Sequence, residues 1–559
     1  WLRRQKRSDE GLALIEERYS NRLTQRDQAV AYLAGLRELK LRAEIDDFID
    51  ACADETKDWS TFQIIHMRVL LERESFAEAG NLARRLSDDK ILGDGSKVTL
   101  DTALEYARIS DIVEQSGAGS AAAFLVLQCK QRRLPKLDAT RHGSLSLYTG
   151  QLAAGGAERQ FARIAVEFQK ASEGTTPIDG KQFVGPVHVC VHHADKKTAK
   201  DFFRPFIEAA GIQVDVLDEM PEESDTNPFA HLGDAADVFR LLPKHLRHAV
   251  SKLSALYRKT KPETAYIWQD SGIRTAGLAA LAAEVPRIVL CYRSTPSKIR
   301  KDFYRPGFDG YFEALSRTPA VFTACNSQIM ASKYADWLDL PLNDIAVIQN
   351  AATKLDTAGT PTDAIVWAKI QEATPECRKT VVGLFRLHPV KRATVWVSLA
   401  EKYLATASDT RFVIVGGGEE DDKIRRMISE RGLEDRVFLA GRSKAVGFWL
   451  SNADLILHCA RHEGLPNAIL EAQLAERAVL ATPAGGTQEA MISGKTGVCL
   501  STVEPFPYDE ALAELTRMLD DANLREEMGR KGKAFVEQEF SMQRSLSRTM
   551  ELITRPVGA

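Results

Sequence analysis

The hydrophobic positions of this chain change their period near Ser144. Before that point, segments such as Gln28–Leu39, Ala43–Ala53, Phe62–Glu72, Phe76–Leu86 and Thr99–Gln115 carry apolar residues three and four apart, with few β-branched clusters. That spacing gathers apolar side chains on one helical face, and it predicts an all-helical region from Leu2 to about Leu137, its helices in hairpin pairs. After Ser144, short apolar runs alternate with helical stretches. Ser144–Leu147, Val187–Val191, Val214–Leu217, Ala265–Trp268, Arg287–Cys291 and Ala320–Cys325 read as strands, interleaved with helices at Phe161–Phe168, Phe202–Ala210, Asp234–Tyr257 and Thr275–Ala283. A second such series starts at Thr380 and continues through Phe412–Val415, Val437–Leu439, the run from Leu455 and Ala478–Thr482. Strand and helix in alternation predict parallel sheets with helices on both faces, here in two successive α/β domains behind a helical one. Thr353–Pro375, rich in Thr, Ala and Asp, is the expected linker between them.

Within the second series, Leu455–Ala472 stands out. An apolar run breaks at Glu463-Gly464 and restarts as a helix, with Pro466 near its first turn, where a missing N–H costs nothing. In a parallel sheet such a junction lies at the strand's carboxyl end, where helix N–H groups and the positive dipole end favour phosphate. Glu463 precedes the helix and Glu471 lies inside it, about 7–8 Å along the axis from Pro466 at about 1.5 Å per residue. The spacing suits a long anionic ligand with hydroxyls at both ends. Near the start of the first series, Gln151-Leu-Ala-Ala-Gly-Gly-Ala-Glu-Arg-Gln joins a strand to a helix, and Gly155-Gly156 lets backbone N–H groups approach a phosphate. The loop lacks the G-x-G-x-x-G dinucleotide fingerprint, which argues against a nicotinamide enzyme.

Composition narrows the class. At 559 residues the chain is too long for one core and implies two to four domains. Hydrophobic content of 44% with 27% charged residues describes a globular protein, and a net charge of −3 gives no global footprint for nucleic acid. The eight cysteines are widely separated and without zinc spacing, so they read as reduced, buried thiols. No apolar segment approaches the roughly 20 residues needed to cross a bilayer. The chain begins with Trp1, so a preceding segment is left open.

The strand, Glu-Gly-Leu-Pro-Asn turn, helix and second Glu, followed by Pro483 and Gly485-Gly486, resemble the nucleotide-sugar half of retaining GT-B glycosyltransferases of family 4, the E-x7-E group. Gly155-Gly156 is similar to the first loop of that family. Thr380-Val-Val-Gly-Leu-Phe-Arg-Leu-His-Pro-Val-Lys-Arg matches its paired cations, Arg386 and Lys391, in order. The resemblance runs from roughly Ser144 to Leu552. It implies two Rossmann-like domains with a cleft between them, a nucleotide-diphosphate sugar donor (UDP- or GDP-sugar), no cofactor, no required metal and retention of anomeric configuration. By residue it implies leaving-group stabilisation by Arg386 and Lys391, sugar positioning by Glu463 and ribose binding by Glu471. Donor contacts are expected from Gly155, Gly156, Arg442, Gly464, Leu465, Pro466 and Asn467. Many relatives carry a histidine just after the strand ending near Cys291; here the polar residues are Tyr292, Arg293 and Ser294, and Arg293 is the candidate sugar or acceptor contact. Lys298–Arg305 mixes cations and aromatics that could grip an anionic acceptor, with a solvated loop as the alternative. His192 and His193 follow a strand and are assigned no role.

The expected domains are therefore 1–140, helical and loosely like tetratricopeptide-type repeats though without their roughly 34-residue period; 141–360, acceptor-side; and 361–559, donor-side with a last helix that returns to the first α/β half. The expected function is transfer of a sugar to a glycan or lipid-linked acceptor in envelope or capsular polysaccharide synthesis, in the cytoplasm or at the inner face of a membrane. The helical region is open to a protein partner, to self-association or to simple packing, and no nucleic acid is expected. The rival reading is a non-catalytic sugar-binding scaffold that recruits partners through the helices.

Overall fold

The computed structural model describes residues 8–23, 25–39, 41–56, 58–73, 75–87, 94–130, 134–135, 137–174, 177–195, 200–221, 226–300 and 308–556. Residues 301–305 of the Lys298–Arg305 stretch lie outside these. The chain divides into two compact units, Trp1–Gln131 with Glu223–Ser251, and Arg132–Glu222 with Lys252–Ala559.

The smaller unit is helical. Its helices include Arg26–Leu39, Ser60–Glu72, Phe76–Leu86, Asp94–Gln115 and Ala121–Cys129. Their apolar stripes close two small cores, one around Leu33, Leu36, Phe48 and Phe62 and one around Met67, Leu82, Leu86 and Leu100. The pairing of Phe76–Leu86 with Asp94–Gln115 is close because Gly80 faces Ala107, where an added Cβ would stand 2.1 Å from the alanine Cβ. This unit also takes residues from a place where the sequence pattern put one long helix, Asp234–Tyr257. The structure has a 3-10 stretch Ala230–Leu241, a break at Leu242-Pro243 and an α-helix Lys244–Thr260. Pro243 cannot continue an upstream helix and sits at the start of the next, which explains the division. Arg240 and Glu105 tie the inserted stretch to helix Asp94–Gln115 by paired hydrogen bonds, the longer at 3.0 Å.

The larger unit contains two fully parallel sheets. The first runs Val214–Val216, Val187–Val191, Leu145–Thr149, Thr264–Trp268, Arg287–Tyr292, Val321–Cys325, Ile345–Val347. The second runs Val437–Gly441, Thr410–Val415, Lys379–Leu384, Leu455–His458, Ala478–Ala481, Val498–Cys499. Each winds outward from its first strand and then reverses, so each has a switch point beside that strand, where α/β sheets hold ligands. Their central strands are buried, Lys379–Leu384 at all but its two end residues, as sheets covered on both faces require.

Two expectations shift. The proposed linker Thr353–Pro375 contains a helix, Pro361–Ala373, because Thr360 and Asp363 form a capping box in front of an apolar stripe that buries Trp367 and Ile370. The long tail from Arg525 divides into Ala522–Glu539 and Met542–Thr554, with Ser541 capping the second helix through the Arg544 N–H. That last helix belongs to the core of the first sheet through Leu546, Met550, Leu552 and Ile553, and Arg287 donates to the carbonyls of Ile553 and Arg555 at its end. None of the eight cysteines forms a disulfide; Cys499 is half-buried and the others are buried. Among the described residues no helix is long and apolar enough to cross a membrane.

Candidate active site

The switch point of the second sheet lies between Lys379–Leu384 and Leu455–His458, and the residues that leave these two strands carry the site. Lys379–Leu384 leads through Arg386 and His388 into a short 3-10 turn, Pro389–Lys391. The Val390 carbonyl accepts from the Arg461 N–H at 2.8 Å, so the two strand-exit loops are stitched together by backbone. Lys391 then meets Glu463 in an ion pair, and His458 Nε2 lies 2.7 Å from the same carboxylate oxygen. Glu463 is only 10% exposed. Burial works against its ionisation, yet the Lys391 ammonium and the His458 hydrogen bond outweigh it and hold its pKa down at about 2. The carboxylate is therefore a fixed negative charge beside a fixed positive one.

Close packing shapes the turn that follows. An added Cβ on Gly464 would stand 2.3 Å from the Arg293 carbonyl oxygen and 2.6 Å from Asn326 Nδ2. Gly485, at φ +52°, faces the Glu463 carbonyl, which a Cβ would approach to 1.9 Å, and Gly486 N–H donates to Gly464 O at 2.8 Å. Pro466 stands at the N-cap rather than in the first turn, and the helix runs Asn467–Leu474. The first helical amides lack partners in the helix itself, so the N–H groups at the start of Asn467–Leu474 face outward as an anion requires, while Pro466 contributes no N–H. Leu465 is buried and packs in the second-lobe core.

Asn467 faces the first lobe. Its Oδ1 accepts from Gln160 Nε2 at 3.1 Å and from Asn350 Nδ2 at 2.8 Å. An added Cβ on Gly156 would stand 2.5 Å from Asn467 Nδ2, so the Gly155-Gly156 loop and the Glu463–Asn467 turn are in direct apposition. Gly155 caps helix Gly156–Glu173, which brings Arg159 to Glu471. That ion pair is asymmetric in exposure, Glu471 at 5% and Arg159 at 24%. Arg163, one turn on, has its pKa lowered by burial and by Arg159, with Glu471 opposing.

Arg386 is exposed, and its charge reaches Glu158, the residue after Ala157 in the same glycine loop. Burial pushes the Glu158 carboxyl up from its usual range, while its own backbone N–H, Gln269 and Arg386 pull the other way. Gln269 lies after strand Thr264–Trp268, at the switch point of the first sheet, and holds φ +69°, ψ 149°, a conformation costly for a residue with a side chain. Its Nε2 donates to Glu158 at 3.2 Å. Arg442 is exposed after strand Val437–Gly441, its side chain lying against Gly417, 3.0 Å from the Cβ that glycine lacks.

Arg293 stands elsewhere than expected. The residue is 7% exposed, and its guanidinium donates to Asn350 and, at 3.3 Å, to Ile348 O, and lies 4.2 Å from the Trp268 ring centroid. A buried planar cation engaged by a carbonyl, an amide and a ring face packs beneath the Glu463–Asn467 turn, not in the open position expected of a sugar contact. The structure thus gathers Lys391, Glu463, Glu471, Gly156, Gly464 and Asn467 around one turn, with Arg386 set against the glycine loop. Sequence reasoning gave no role to His458, Glu158, Arg159, Gln160 or Gln269. All but Gln269 lay inside the motifs singled out there, and Gln269 gave no signal beyond following an apolar run; Asn350 lay in Asn350-Ala351, which resembles the closing elements of the family's amino-terminal half.

Comparison with known proteins bears on this arrangement. Residues 368–535 match the family described as glycosyl transferases group 1. The chain is 29% identical over 430 residues to the Vi polysaccharide biosynthesis protein VipC/TviE of Salmonella typhi, covering 76% of this chain and 73% of that protein. It is 28% identical over 167 residues to the alpha-D-kanosaminyltransferase of Streptomyces kanamyceticus, 30% of this chain and 42% of the relative. Among solved structures, Anabaena Alr3699/HepE in complex with UDP and glucose superposes with a TM-score of 0.56 at 18% identity, over 73% of this chain and 98% of that one. The structural likeness shows a GT-B fold, and together the matches support a glycosyltransferase.

Proposed function

We propose that the chain is a retaining glycosyltransferase that moves a sugar from a nucleotide-diphosphate donor, a UDP-sugar in the first instance, to a glycan or lipid-linked acceptor during surface polysaccharide synthesis. The observation that carries this reading is the Lys391–Glu463–His458 cluster at the mouth of a phosphate-suited turn, with Glu471 eight residues further along the same segment. The UDP and glucose of the Anabaena structure and the polysaccharide role in the name of the Salmonella relative support the donor and the product class.

In this reading the diphosphate lies over the backbone N–H groups of Gly464, Leu465 and Asn467, Pro466 having none, with Arg386 and Lys391 as its cations. The bond between the sugar's anomeric carbon and the phosphate oxygen breaks, and its electron pair goes to the diphosphate. The acceptor hydroxyl attacks from the face the diphosphate leaves, and its proton passes to the departing oxygen. Charge that develops on the leaving group meets cations and amides already in place, so little reorganisation is needed as it forms. Glu463, kept ionised at any ordinary pH, orients Lys391 and accepts from sugar hydroxyls, while Glu471 accepts from the ribose. In this reading Arg386, Lys391 and the turn amides supply the positive field for the leaving diphosphate.

The test is incubation with UDP-, GDP-, ADP- and CMP-sugars in the presence of a chelator, following nucleotide release and the anomeric configuration of the product by NMR. Release from a UDP-sugar with retained configuration is the expected result. Inversion, a strict metal requirement, or no release from any nucleotide-sugar with acceptor-bearing extracts would overturn it.

A further inference from the structure

The first lobe holds another convergence of polar side chains, made by its own strand ends. Val187–Val191 and Val214–Val216 are parallel neighbours, so the residues that leave their carboxyl ends lie side by side. His192 and His193 follow the first strand, and Asp218 follows the second within the 3-10 turn Leu217–Glu219. The backbone of all three is tied down. His192 N–H donates to Thr149 O at 3.0 Å, His193 N–H to Gly150 O at 3.1 Å, and Asp218 N–H to His192 O at 3.2 Å.

Their side chains turn toward one another. His193 Nδ1 pairs with Asp218 Oδ2, and His192 Nε2 lies 3.9 Å from Asp218 Oδ1. One nitrogen or oxygen from each of the three residues falls within 4.8 Å of the others. The remaining nitrogen of His192, Nδ1, is 2.7 Å from the hydroxyl of the fully buried Tyr148. With Nδ1–H donating to that hydroxyl, the lone pair sits on Nε2, on the side that faces Asp218. A group that fixes the tautomer of an imidazole is what a metal-binding histidine ordinarily has behind it.

We propose that His192 Nε2, His193 Nδ1 and one carboxylate oxygen of Asp218 form a site for a divalent ion of the zinc class. Two imidazoles and one carboxylate suit zinc, cobalt or nickel, whereas magnesium and calcium prefer all-oxygen sets. Ligand atoms about 2.0–2.2 Å from a tetrahedral zinc ion stand roughly 3.3 Å apart, so small side-chain rotations on this fixed backbone reach the geometry. His193 and Asp218 are about half exposed, which leaves an entry path and an open position for water or an oxygen ligand. The site lies outside the donor machinery and takes no part in leaving-group departure, so it stands whether or not the transfer reaction does.

Titration of the chelator-treated full chain with cobalt(II), read by its visible d–d absorption, and back-titration with zinc test the site. One ion per chain is expected, with affinity lowered at least ten-fold in His193→Ala and in Asp218→Asn, both at exposed positions whose folding is checked by circular dichroism. Tyr148→Phe keeps all three ligands and should weaken binding by about ten-fold, the scale for loss of a group that orients a ligand. Absence of a cobalt band, or binding unchanged in both His193→Ala and Asp218→Asn, would overturn the proposal.

Discussion

The two lobes of the larger unit are wound on the same strand order, yet they furnish the same sheet edge differently. In the second lobe the switch point carries an ion pair, Lys391 with the largely buried Glu463, and beside it the exposed Arg386, held by short loops that share a backbone hydrogen bond. In the first lobe the charges that follow the switch-point strand and its neighbour Arg287–Tyr292 are mostly spent inside the protein. Arg293 is buried against Asn350 and Trp268, and Asp270, pushed up by burial, accepts from the Tyr334 hydroxyl at 2.6 Å. Gln269 is held in an unfavourable backbone conformation so that its amide reaches Glu158. Strand order decides where a ligand can sit. The few residues after each strand decide whether that place binds an anion or forms the rigid wall against which the other lobe works.

The sharpest way to break this contrast is to remove the working charge. Lys391→Ala should lower turnover by about 10²-fold or more, the scale for losing a donor that acts in the transition state; initial rates of nucleotide release at saturating donor measure it. An unchanged rate would make the second lobe's charge as structural as the first lobe's. The same pair should appear in acid stability. The folded pKa of Glu463, about 2, lies below its ordinary value of 4.5, so the pair's stabilisation is present above pH 4.5 and is lost as pH falls toward 2. The loss should be of order 2–3 kcal/mol, and in Lys391→Ala it should shrink, because only the His458 hydrogen bond then opposes the effect of burial on the carboxyl. Denaturant midpoints of the two proteins across that window report it.

Gly464→Ala tests the wall. The new Cβ would meet a carbonyl oxygen at 2.3 Å, which cannot swing aside as a flexible side chain would, so a stability loss of about 1–3 kcal/mol and a fall in activity are expected. Thermal unfolding together with rates shows whether both move. Arg159→Ala should be milder, about 1–2 kcal/mol, since Arg159 is partly exposed and Arg163 stays near the buried Glu471. Urea unfolding of Arg159→Ala against Arg159→Lys separates loss of charge from loss of shape.

Much of this site was legible before any coordinates. Glu463, Gly464 and Asn467 form one local unit, because a strand that turns into a helix over glycine and proline writes its signature within a dozen consecutive residues. The pairing of Lys391 with Glu463 depends on a parallel sheet bringing strand exits together across 72 residues, and only the family resemblance pointed to it. Arg293 shows the limit: an arginine after a strand has the same letters whether it faces a groove or lies buried on Trp268.

What the sequence determined by itself is therefore local: helical and strand periods, the change near Ser144, the glycine loop and the acidic turn, since each depends on neighbours within a turn or two of chain. What the tertiary structure decided is partnership. It gave Lys391 and His458 to Glu463, Arg159 to Glu471, Asn350 to Arg293 and Asp218 to the two histidines. A charge's role depends on what lies within a few ångströms of it, and in a wound parallel sheet those neighbours come from strands far apart along the chain.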